Sequence, residues 1–259
     1  MTGTHVTLAE VAGAVALVGV AIAISIWQRV DLEAEVGVAA VRAFVQLTAV
    51  GYVIKLIFDS GTVLFAFLLI AVMVTVGALT ARHRAQKVPG AFWPLLFALA
   101  IAAAATLGVV IALGVFPAEA RYLVPVGGMV IGNAMTASAV ALNRLGDDIG
   151  RSTREVEAAL ALGATGRQAL RPLVRRSLRS GLIPLIDQTK TTGLVSFPGI
   201  MVGSLLAGAA PVDAVRLQVV LLYVLLGATA ISALTAMALA SRNFLTPAHQ
   251  LREPPEAPG

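Results

Sequence analysis

Apolar runs of bilayer-spanning length recur along this chain. Crossing about 30 Å of hydrocarbon takes about 20 helical residues. Seven stretches answer to that length: Thr7–Gln28, Val36–Phe58, Ser60–Ala81, one within Val88–Ala118, one within Tyr122–Asn143, Leu182–Gly208 and Leu217–Ser241. The second and sixth carry charge inside them. Only 13% of the 259 residues are charged, against about 25% in an ordinary soluble domain. The expected fold is all-α: a polytopic membrane protein of about seven transmembrane helices, one membrane domain over residues 1–245, and a proline-rich, disordered tail over 246–259. No basic residue precedes the first run, so it lacks the n-region of a secretory signal and reads as an uncleaved helix.

Lysine and arginine set the orientation. One set of connecting segments holds Arg29, then Arg82, Arg84 and Lys87, then eight arginines from Arg144 to Arg179, then Arg242 and Arg252. The other set holds Lys55, Arg121 and Arg216. Fourteen against three puts the first set in the cytoplasm, the N-terminus outside and the C-terminus inside. A bacterial inner (plasma) membrane is the expected location.

The longest cytoplasmic segment, 144–181, has an internal pattern. Gly146 and Gly150 read as helix breakers. Ser152 with Glu155 fits a capping box. The run EVEAALAL favours helix, Gly163 fits a helix C-terminus, and a second helix is expected from about Thr165, with Pro172 as a kink or boundary. The product is a helix–turn–helix on the cytoplasmic face, between the fifth and sixth spans. Arg167, Arg171, Arg175 and Arg179 recur at every fourth position, drifting about 40° per step into one slanted basic stripe. That stripe holds the segment in the cytoplasm beside anionic headgroups, contacts a partner protein, or does both.

EAALALGAT, Glu157 to Thr165, resembles the EAA-type coupling sequence of ABC transporter permeases. With GMVIGNAMTASAVALNRL before it, and GLVSFPGIMVGSLLAG and AVRLQVVLLYVLL after it, the chain is similar to the FetB-like permeases. RAFVQLTAVGYVIKLIF is the most telling piece of the first 120 residues. The arginines at 175 and 176 fit that family better than they fit the importers, whose loops carry Leu-Pro thereabouts. The resemblance implies a small seven-span subunit linked to export of iron or another metal or metal complex, with plant relatives linked to aluminium tolerance. It implies that Glu157, Ala158, Ala159, Gly163 and Ala164 form a coupling helix gripped by a separate ABC ATPase. No G-x-x-x-x-G-K-[ST] loop is present. ATP and magnesium are therefore expected on the partner, this chain is expected to be no enzyme and to bind no cofactor, and the economical assembly is a homodimer with two ATPase subunits.

Ionisable groups at bilayer depth are costly and become functional suspects. Arg42 and Gln46 lie one turn apart in the second span, Asn133 is in the fifth, and Asp187, Lys190 and Thr191 open the sixth. In one reading Arg42 and Asp187 pair structurally or snorkel to the headgroups; in the other, these groups line a cytoplasm-facing cavity. Pro198 and Gly199 in SFPG are a candidate hinge or a static kink within the sixth span. GMVIG (128–132) and GIMVG (199–203) permit close helix approach, within the chain or at a dimer seam.

Other functions are disfavoured. Cysteine is absent, which removes disulfides and thiolate sites. His5, His83 and His249 lack metal-motif spacing, and the six methionines read as filler. One aspartate per chain is a poor cage for a bare hard cation. An ion-gradient-driven transporter using Asp187 and Lys190, or a non-conducting membrane adaptor, are the rivals. The expected surroundings are lipid and the ATPase, not nucleic acid.

Overall fold

A computed structural model describes residues 8–60, 62–246 and 250–252. His5 and His249 lie outside the described residues. The helices are α1 (Leu8–Gln28), α2 (Glu33–Ser60), α3 (Val63–Arg84), α4 (Phe92–Ala112), α5 (Ala120–Arg151), α6 (Thr153–Ala161), α7 (Gly166–Thr191), α8 (Gly199–Leu206) and α9 (Pro211–Ala240), and a 3₁₀ turn follows at Ser241–Phe244. The described residues divide into two compact units, within residues 1–61 and 62–259.

The first unit is an α1–α2 hairpin. Its connection places Arg29 and Asp31 at positive φ, 54° and 57°, a conformation that costs non-glycine residues free energy. Ser25 secures the turn. Its buried hydroxyl donates to the Glu33 carboxylate at 3.1 Å and accepts from the Leu32 amide at 3.1 Å.

In the second unit α5 is central, packed on α3, α4, α7 and α9, while α4 also packs on α9. Small residues form the contacts. Ala78, Ala98, Ala102, Ala134, Ala141 and Ala236 are wholly enclosed, and such side chains let helices approach closely in the absence of a hydrophobic drive between them. Large apolar residues point outward instead: Phe67, Leu68, Val72, Val76, Trp93 and Phe97. Leu95, Leu99, Leu142 and Leu221 fill the interior between the alanines, and a surface this rich in exposed large apolar side chains is one that lipid permits and water penalises.

Among the described residues five helices, α2, α3, α4, α5 and α9, are long and apolar enough to cross a membrane, and a shorter apolar stretch, Gly13–Gln28, lies within α1. The expected sixth span, Leu182–Gly208, is not one helix. α7 arrives from the basic segment and runs without interruption to Thr191, residues 192–198 are non-helical, and α8 restarts at Gly199.

Two local expectations are overturned, and for Pro172 the structure decides between the two alternatives. Gly146 and Gly150 do not break the chain, because α5 continues through both to Arg151. Its 32 residues span about 48 Å, well beyond the hydrocarbon thickness. The extension is held by tertiary contact: a Cβ on Gly146 would lie 2.7 Å from Lys87 Cβ, and Lys87 pairs with Asp147 at 2.5 Å. Ser152 forms no capping box, its side chain accepting no hydrogen bond from the first turn of α6. Its backbone closes α5, its amide bonding to the Asp148 and Ile149 carbonyls, and its φ/ψ of −111°/24° is not the extended geometry that an N-cap needs. Pro172 does not bound a helix, and Pro184 also lies inside α7. The stripe Leu170, Leu173, Ser177, Gly181 and Leu185 is buried along α7, and this packing outweighs the two missing hydrogen bonds.

The described part of the tail folds back. The Thr246 amide bonds to the Gln250 carbonyl, the Arg252 amide bonds to the Phe244 carbonyl, each at 2.8 Å, and Leu251 packs on the core.

Candidate functional site

The basic segment is built from two reciprocal devices. α6 closes with a Schellman motif: the Ala164 amide reaches the Ala159 carbonyl and the Gly163 amide the Leu160 carbonyl, both at 3.0 Å. Gly163 takes φ +88°, a value open to glycine and strained for other residues. The capping box that the sequence suggested at Ser152 lies instead at the start of α7. The Gln168 amide bonds to Thr165 Oγ1 at 3.3 Å and the Thr165 amide to Gln168 Oε1 at 2.8 Å. Helix, glycine turn and helix thus stand where Glu157 to Thr165 predicts them.

Val156 is the buried residue of α6, and Leu160 packs against the core. Glu157, Ala158, Ala161 and Leu162 face outward, while Ala159 and Ala164 are half-buried. Leu162 is 89% exposed. It forms an apolar knob at the tip of the turn, which the pattern of the sequence did not single out. Its position one residue before a C-terminal glycine is the signal that could have found it.

Between the end of α5 and α7 lies a polar anchor that sequence reasoning also missed. Asp148 is buried, 4% exposed. Arg144, one turn back on α5, approaches it at 3.3 Å, and Ser177 of α7 donates to it at 3.4 Å. Reading 144–151 as a breaker loop hid the i,i+4 relation between Arg144 and Asp148. Deeper in the unit, Ser138 and Ser232 hydrogen-bond at 3.1 Å between α5 and α9.

The intramembrane candidates fall on separate helices. Arg42 and Gln46 line a groove on α2 with Val38, Val41 and Val45. Asn133, half-buried on α5, donates to its own helix at the Met129 carbonyl, 2.9 Å. Asp187 and Lys190 pair along α7 at 3.3 Å, with side chains 60% and 70% exposed. Thr191 turns its hydroxyl back to the Asp187 and Gln188 carbonyls at 3.1 Å. The helix then breaks. Gly193 donates to the Ser196 carbonyl at 2.8 Å, and Leu194, Val195 and Phe197 stand exposed. Pro198 caps α8 and Gly199 is its first residue, so SFPG is a helix restart rather than a kink in a continuous span. In GMVIG, Gly128 faces Met73 of α3, whereas at Gly132 and at both glycines of GIMVG an added Cβ would meet nothing of the chain within 4 Å. Among the described residues no three His, Asp or Glu side chains converge as a metal site would require.

Long apolar helices that meet through buried alanines and leave large apolar side chains exposed, interrupted by one break and a basic helical turn, define a multi-pass helical membrane protein. The chain belongs to UPF0014, an uncharacterised protein family whose model matches residues 8–245. It is 41% identical over 240 residues to the rice "UPF0014 membrane protein STAR2", covering 93% of this chain and 84% of that one. It is 38% identical over 244 residues to the Arabidopsis "Protein ALUMINUM SENSITIVE 3", covering 93% and 88%. It is 36% identical over 251 residues to the Escherichia coli "Probable iron export permease protein FetB", covering 97% of each. No solved structure matches the chain.

Proposed function

We propose that this chain is the membrane permease subunit of an ATP-driven, ABC-type transporter that exports iron or another metal or metal complex. It works as a homodimer with two copies of a separate ATPase, which holds ATP and magnesium, in a plasma membrane with the N-terminus outside. The carrying observation is the helical turn 153–165. A nine-residue helix is closed at its C-terminal end by the glycine turn and anchored from beneath by Val156, yet Glu157, Ala158, Ala161 and, just past its end, Leu162 stand exposed among the described residues. A rigid projection with an acid, small residues and one apolar knob suits insertion into a protein cleft. The metal substrate is supported by the name of the Escherichia coli relative, a probable iron export permease.

The substrate path is assigned to the broken helix. Non-helical backbone at membrane depth is tolerated where protein covers it or where it lines a water-filled cavity. Residues 192–198 directly follow Asp187, Lys190 and Thr191, so polar side chains and freed backbone groups are concentrated at one place. The same break would serve an ion-gradient-driven transporter, and one experiment separates the two. Purified chain and ATPase are reconstituted in liposomes and challenged with candidate metal complexes. Substrate-stimulated ATP hydrolysis that depends on the chain is the expected result. Transport by the chain alone, driven by an ion gradient, overturns the ABC reading.

A further inference from the structure

We propose that the cleft between α7 and the end of α9 binds an anionic phospholipid, its phosphate on Arg167, Arg171 and Arg242 and an acyl chain along the apolar end. The cleft measures about 400 Å³. α7 lines it with Arg167 and Arg171 and, further along, Leu178; α9 lines it with Leu234 and Met237 and, past its end, Arg242. The two elements run past one another. Leu245 sits against Gly166 at one end, which brings the arginines of both elements together there. Leu178 and Leu234 are thereby left at the other end.

The result is a graded cleft, basic at one end and apolar at the other. No acidic side chain lines it, and among the described residues none of the three guanidinium groups has an ion pair. The basic end falls where the apolar run of α9 stops at Ala240, the level at which arginine meets headgroups. Guanidinium groups bind phosphate through paired, charge-assisted hydrogen bonds. A free phosphate would use one end of the cleft only, whereas an anionic amphiphile uses both. The basic stripe is accordingly divided: Arg167 and Arg171 line the cleft, while Arg175 and Arg179 do not. The inference requires only that the chain resides in a membrane, and it is independent of coupling to an ATPase.

The test reads lipid retention. The full chain is purified from vesicles of equal phosphatidylglycerol and phosphatidylcholine, and bound lipid is identified by native mass spectrometry. Phosphatidylglycerol should be retained several-fold over phosphatidylcholine. The Arg167→Gln, Arg171→Gln, Arg242→Gln triple variant should lose that preference. The Arg175→Gln, Arg176→Gln, Arg179→Gln triple variant, with the same loss of charge on neighbouring positions, should keep it. Arg242→Gln alone should reduce it and guards against misfolding of the triple variant. The proposal is overturned if the first triple and the single variant retain the full preference, or if both triples lose it equally. It is also overturned if inorganic phosphate displaces the lipid at comparable concentration, which would make the ligand a free anion. Unchanged lipid preference with lost ATPase binding in the first triple overturns it in favour of a protein contact.

Discussion

Gly163 shows what a single residue contributes to the projecting turn. Nothing lies within 4 Å of the position a Cβ would take, so space is not the constraint; the backbone is, at φ +88°. Left-handed backbone costs an L-residue about 1–2 kcal/mol. Gly163→Ala should therefore weaken the turn by about that much, and β-branched Gly163→Val by more. Both variants should reach the membrane at normal abundance, because the turn lies outside the apolar helices. ATPase co-purification should fall in the order wild type, Ala, Val. Full binding by Gly163→Val would remove the turn from the coupling assignment. Asp148 sits at the opposite extreme, a charge enclosed by packing. Asp148→Ala removes the acceptor of Ser177 and the neighbour of Arg144, and hydrogen bonds to charged groups are worth about 1.5–3 kcal/mol. Asp147→Ala breaks the more exposed pair with Lys87, a class worth about 0–1 kcal/mol. Thermal unfolding in detergent should rank Asp148→Ala well below Asp147→Ala. Equal midpoints would show that the buried anchor contributes nothing beyond a surface pair.

Elements were legible where their signals were local. The end of α6 at Gly163 and the start of α7 at Thr165 rest on backbone chemistry within a few residues, and the sequence states it directly. The extension of α5 through Gly146 and Gly150 rests on Lys87, 60 residues away, and glycine propensity gives no hint of such a partner. The continuity of α7 through Pro172 and Pro184 likewise depends on the stripe buried along it. The hydropathy of Leu182–Gly208 located apolar residues correctly but could not register that the backbone leaves the helix at 192. The consequence is mechanical. α7 is a single rod of about 39 Å from its capping box to Thr191, so it links the projecting turn to the broken helix directly. Gly181 is tightly packed against α5, where a Cβ would lie 2.6 Å from the Ala137 carbonyl oxygen and 2.8 Å from Ala141 Cβ. Backbone cannot yield cheaply there, and overpacking costs about 1–3 kcal/mol. Gly181→Ala should lower the unfolding midpoint. Gly150→Ala, with open space around it, should not, since helix propensity favours alanine by about 1 kcal/mol. A stable Gly181→Ala would mean that α7 is free to slide on α5.

At the scale of the whole molecule, the charge bias and the contacts of the second unit agree on which ends belong together. Lys87, in the α3–α4 connection, pairs with Asp147 near the end of α5. Asn243, just past α9, donates to the Pro89 carbonyl of that same connection at 2.9 Å. The C-terminal ends of α3, α5 and α9 therefore meet the start of α4 on one side, together with Arg82, Arg84, Arg144, Arg151 and Arg242. Arg121 and Arg216 mark the starts of α5 and α9, where Glu119 and Asp213 accompany them at 2.5 Å and 3.7 Å. A basic face and a nearly balanced face are what the positive-inside rule separates across a bilayer. The chain has no cysteine, so single cysteines report without background. Arg154→Cys on α6 and Ala209→Cys before α9 are both exposed positions on opposite sides. In intact cells an impermeant thiol reagent should label Ala209→Cys and reach Arg154→Cys only after permeabilisation. The reverse pattern would place the projecting turn outside, beyond the reach of any cytoplasmic ATPase, and the coupling assignment would fall with it.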